Sequence, residues 1–121
     1  MPKISPQEWF KSPLGQYLLT LEYDYINPVV MDTFGFYAIQ MGNFDIDFLD
    51  QSRIQNKFSL NSNHPDLMTS NEALPFDEAS VDLLIAPHIL EQMIEPYELL
   101  KEIHRVLMPE GRLIITGFNP V

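Results

Sequence analysis

Apolar residues recur at three- and four-residue steps from Pro13 to Thr33, at Leu14, Tyr17, Leu18, Leu21, Tyr25, Val29 and Met31. That spacing predicts a helix, with Ser12 as N-cap and Pro13 in the first turn. Pro28 removes a backbone donor and is expected to end, kink or split it. Tyr17, Tyr23, Tyr25, Phe34 and Phe36 are expected in the core or its cover. Phe36 to Gly42, "FYAIQMG", is an apolar run stopping at a glycine, the pattern of a buried strand. Asp45 to Arg53 then predicts a short helix with its acids in the first turn. Ile54, Phe58 and Leu60 alternate with polar neighbours as in a second strand, and "DLMTS" suggests a short third. Val81 to Ala86, "VDLLIA", is the clearest buried strand. Pro96 opens a helix whose Leu99, Leu100, Ile103, Val106 and Leu107 share one face. "MPEG" predicts a closing turn with Gly111 at positive φ, and "RLIITGF" a last strand.

The second half therefore runs strand, helix, strand, which with a right-handed crossover makes a parallel sheet covered by helices. The expected fold is α/β, Rossmann-like and doubly wound, with a mainly parallel sheet incomplete at its C-terminal half. Residues 1–33 form an N-terminal helical extension and residues 34–121 a partial domain of that type. No internal repeat or low-complexity segment interrupts it.

Composition narrows the function. A chain of 121 residues with 45% hydrophobic residues is long enough for one modest core. The net charge of −10 makes a phosphate backbone an unfavourable partner, so no nucleic acid is expected. The lack of cysteine excludes disulfides, thiolate metal sites and a cysteine nucleophile. No apolar run is long enough to span a bilayer and the start lacks the build of a signal peptide, so a cytoplasmic protein without a membrane partner is expected. His64, His88 and His104 are scattered without an acid cluster, and Asp45, Asp47 and Asp50 lack the glycine and glutamate of a calcium loop. No metal is expected.

The chemistry that remains gathers in "EALPFDEASVDLLIAPHILEQM", Glu72 to Met93, which drops His88, Glu91 and Gln92 just past a strand's end. In open α/β sheets ligands sit outside the carboxyl ends of the strands. Read from the residues alone, His88 is expected as a strand-end histidine bonded to a backbone group in preference to a catalytic role, and Glu91 as a surface or capping acid in preference to a base; His64 and His104 are expected to be solvated.

From "NEALPF" to "GFNP" the chain resembles the second half of the class I S-adenosylmethionine-dependent methyltransferases, in the type that carries an LPF loop. The resemblance rests on Leu74-Pro75-Phe76, on Ser80-Val81-Asp82-Leu83-Leu84, on His88-Ile89-Leu90-Glu91-Gln92, and on the helix-to-strand unit from Lys101 to Gly111. It implies S-adenosylmethionine as cofactor, held by Met41, Gly42, Asn43, Asn61, Ser70, Glu72, Ala73, Leu74, Ala86, Pro87 and His88. It also implies methyl transfer to an acceptor by proximity and orientation, with no nucleophile from the protein. The chain departs from the family pattern at the first strand's loop, where Met41-Gly42-Asn43-Phe44 holds one glycine. It departs again at Asn61 or Asn63 in place of the ribose-binding acid, at Ser70 in place of an adenine-reading aspartate, and at Gln92, which cannot act as a base. Those departures imply weak, altered or lost cofactor binding, and a methyltransferase-like binding or assembly module is the alternative function. In the resembled fold a helix and two strands follow "RLIITGF". The chain is therefore expected to be truncated after the fifth strand, and to self-associate through residues 112–118 if it is a fragment.

Overall fold

The computed structural model describes residues 6–42, 46–60, 74–89 and 97–117. Helices α1 (Pro6–Phe10) and α2 (Pro13–Asp32) lead into strand β1 (Tyr37–Met41). Strands β2 (Asn56–Leu60) and β3 (Val81–Pro87), helix α3 (Tyr97–Val106) and strand β4 (Leu107–Thr116) follow. The four strands form one parallel sheet in the order β2-β1-β3-β4. The chain thus moves outward from β1 to β2, returns past β1 to β3, and continues outward on the other side. This is the expected Rossmann-like α/β arrangement, partial in size. The strand expected at "DLMTS" lies outside the described residues, as does Pro96.

Both faces of the central strands β1 and β3 are covered, as parallel strands require. Because side chains alternate along a strand, Ile39, Met41, Leu84 and Ala86 pack on Leu99, Ile103 and Val106 of α3. Ala38, Leu83 and Ile85 pack on Leu19, Ile26 and Val30 of α2 and on Phe10 of α1. Helix α3 buries the face its spacing predicts, while Leu107 already belongs to β4. "MPEG" differs from the expected turn. Val81 pairs with Leu107 and Leu83 with Arg112, so Met108 to Gly111 form an irregularity within β4. Gly111 has no positive φ. Space explains it: a Cβ there would lie 3.0 Å from the carbonyl oxygens of Met108 and Val81.

Helix α2 corrects two expectations. It runs unbroken through Pro28, whose ring lies on the exposed side. Its buried residues are Gly15, Leu19, Ile26 and Val30, whereas Leu14, Tyr17, Leu21 and Tyr25 are exposed, Tyr25 at 86%. Phe34 and Phe36 are exposed too. The helix carries two apolar stripes, and α1 decides between them. A Cβ on Gly15 would lie 2.3 Å from the Trp9 carbonyl oxygen and 2.5 Å from Phe10 Cα, so only the glycine-bearing face admits α1. Ser12 caps the helix as expected, its hydroxyl accepting from the Gly15 N–H at 3.1 Å.

No helix forms in the described part of 45–53. Asp47 Oδ1 accepts from the Leu49 N–H at 2.9 Å, the local turn by which aspartate competes with a helix. Buried Gln40 of β1 holds this crossover, donating to the Ile46 carbonyl and accepting from the Phe48 N–H, both at 2.8 Å. Tyr23 of α2 donates to Asp50, and that bond to a carboxylate pushes the phenol up to about 12.

Candidate functional site

The strand order reverses between β1 and β3, and there the sheet opens. The β1–β3 ladder pairs Ala38 with Leu83, Ile39 with Leu84 and Gln40 with Ile85, and then stops. The neighbouring ladders run on. β1 stays paired with β2 as far as Met41 and Leu60, and β3 with β4 as far as Pro87 and Thr116. The carboxyl ends therefore part into two walls at the topological switch point, the place where open α/β sheets take ligands.

On the β1–β2 wall, Met41 is fully buried and Gly42 follows at φ +116°, a conformation that favours glycine. The Gly42 N–H donates to the Leu60 carbonyl at 3.2 Å, joining the two strand ends. Asn43, Asn61, Ser70, Glu72 and Ala73 lie outside the described residues, as do Glu91 and Gln92. On the β3–β4 wall, Ala86 and Pro87 are buried at the strand's end and His88 turns the chain at φ +53°. The His88 N–H donates to the Thr116 carbonyl at 3.0 Å. Its ring does not simply bond a backbone group. Nε2 lies 2.8 and 2.9 Å from the two carboxylate oxygens of Glu22, and the ring packs 4.8 Å from that of Phe10. Thr116 Oγ1 is buried with no hydrogen-bond partner.

Leu74 is placed differently. Its N–H donates to Glu102 Oε1 at 3.0 Å and its carbonyl accepts from Arg105 at 3.1 Å, so the LPF loop is tied to the last turns of α3. Phe76 packs edge-on against Phe58, with ring centres 5.5 Å apart. Arg105 also grips Glu102 directly, and with the Leu74 N–H it pulls that carboxyl down to about 2. The loop's residues are thus held by packing and by α3. At the amino end of the sheet a pocket of about 300 Å³ is lined by Asp32, Asp82, Glu110 and Arg112 among others. Three of its four charged groups are already engaged: Asp82 accepts from the Phe36 and Tyr37 N–H groups, and Arg112 pairs with Asp32 at 3.4 Å.

Sequence reasoning brought Gly42 and His88 to the strand ends but passed over Glu22, Gln40 and Thr116. A signal existed for Gln40, the one polar residue in "FYAIQMG". Glu22 stands between two leucine-bearing turns and a tyrosine, and nothing in its spacing aims it at residue 88. For S-adenosylmethionine, the described residues offer the strand-end glycine, the gap between walls and the orphan threonine hydroxyl. No group of three metal-ligating side chains occurs among the described residues, nor is any described helix long and apolar enough to cross a membrane.

A family model described as a methyltransferase domain matches residues 38–115. The uncharacterized protein YafS of Escherichia coli (strain K12) is 29% identical over 122 residues, an alignment covering 98% of this chain and 50% of YafS. The chain spans about half the length of that curated relative.

Proposed function

The chain belongs to the methyltransferase domain family, and on that premise we propose that it binds S-adenosylmethionine between the two walls and holds a methyl acceptor in line with it. The carrying observation is the early end of the β1–β3 ladder at Gln40 and Ile85, with Gly42 at positive φ beside the gap. Bound there, the cofactor supplies an electrophilic methyl group. The chain's share is to bind and orient, which can provide most of the rate of such a transfer. Met41, Gly42, Ala86, Pro87 and His88 line the crevice in this reading, and Asn43, Asn61, Ser70, Glu72 and Ala73 complete it as the family resemblance implies. Leu74 lines it too, packed in one cluster with Met41 and Ala86 and tied to α3 through its backbone. The LPF loop assigns the chain to the type that carries one, and the single glycine of the first loop makes it a divergent member.

Titration calorimetry with S-adenosylmethionine and S-adenosylhomocysteine tests this. Micromolar binding that Gly42→Trp abolishes is expected, since the indole fills the gap; no heat up to about millimolar ligand overturns the reading. A second reading, an assembly module without catalysis, is favoured by one observation. Met108, Leu113 and Ile115 of β4, at the edge of the described sheet, are 39%, 40% and 37% exposed. It predicts a second copy meeting along β4, which light scattering at micromolar concentration would detect as a dimer and which a clean monomer would contradict.

A further inference from the structure

Helix α2 carries three acids, Glu22, Asp24 and Asp32, and no base. Asp24 and Asp32 face solvent, while the Glu22 side chain is only 13% exposed and meets a histidine 2% exposed. Burying such a pair is costly, and apolar residues in its place would hold the layer at least as well. Leu19, Ile26 and Val30 already supply the apolar grip of α2 on the sheet. The pair contributes position instead. Both Glu22 oxygens lie within hydrogen-bond distance of Nε2, and Phe10 backs the ring, so the imidazole is held from two sides. The same residue bears the positive φ that turns the chain away from β3, a conformation that costs of order 1 kcal/mol for a residue with a side chain. Its N–H fixes the end of β4 as well.

We propose that Glu22 is a positioning residue for the ligand crevice: through His88 it holds the turn after β3 in the shape that forms one wall. The proposal rests on the functional reading above. It makes the N-terminal helical layer part of the site, acting through His88. An amide at position 22 still accepts a hydrogen bond from Nε2, whereas a methyl group cannot.

The test is S-adenosylhomocysteine affinity and amide exchange in wild type, Glu22→Ala and Glu22→Gln. Loss of a charge-assisted bond predicts about tenfold weaker binding for Glu22→Ala, with Glu22→Gln within about threefold of wild type. Exchange at the His88 amide should rise about tenfold in Glu22→Ala while the Ala38 and Ile39 amides of β1 keep their protection. A folded Glu22→Ala protein that binds like wild type overturns the positioning role and leaves the functional reading standing. So does weakened binding that comes with lost protection in β1, since the residue then serves stability alone. A wild type that gives no binding overturns both.

Discussion

The two walls of the crevice are built by opposite means. Among the described residues the β1–β2 wall is bare: Met41 is buried, Gly42 has no side chain, and its N–H donates to the Leu60 carbonyl at the strand ends. The β3–β4 wall is braced by side chains brought from far along the chain, with Glu22 meeting His88 across 66 positions. A wall of backbone can approach a ligand closely and depends on a single conformation. A braced wall can be tuned by residues that never touch the ligand, and it depends on the helical layer behind it.

The largest expected effect breaks the braced wall from behind. Leu19, 1% exposed on the inner stripe of α2, should cost about 3 kcal/mol when changed to alanine, read by urea unfolding. Tyr25→Ala, on the outer stripe, should stay within about 0.5 kcal/mol. Equal costs would mean that the helix has no preferred face. A smaller effect isolates the bare wall. Gly42→Ala at φ +116° should cost about 1–2 kcal/mol and weaken cofactor binding, while the His88 amide keeps its exchange rate.

The smallest effect concerns the LPF loop, which Leu74 ties to α3. Glu102 has its carboxyl lowered from 4.5 to about 2, first by Arg105 and then by the Leu74 N–H. A lowered folded value means that the carboxylate stabilises the protein fully above about pH 4.5 and loses that contribution as the pH falls toward about 2. With the side chain partly exposed, the loss should be about 1 kcal/mol. Acid titration of stability should show it in the wild type, and Glu102→Gln should remove it while leaving Gly42 and His88 exchange unchanged.

How much of this the sequence revealed depended on how local the determining physics was. Strands β1 and β3 and helix α3 were legible because their patterns have one interpretation: short apolar runs ending at a turn, and one apolar stripe opposite Glu98, Lys101 and Arg105. Helix α2 was legible as a helix but not in its orientation. Two stripes fit the period, and the choice rests on Gly15 against α1, a steric fact invisible to periodicity. The turn at Asp47 to Leu49 was missed because acids at a helix start and acids in a local turn look alike until Gln40 is seen to hold the loop. The places of Gly42 and His88 at strand ends were legible. Glu22 and Thr116 were not, since only the fold brings them to that end.

The central claim is that the ligand lies where β1 and β3 part, between walls that end in Gly42 and His88. Backbone amide shifts on titration with S-adenosylhomocysteine test it most directly. The largest changes are predicted at Gly42 and at Ala86 and His88, with the amino end around Asp82 and Arg112 unmoved; saturating changes confined to that amino-end pocket, or none at all, would contradict it.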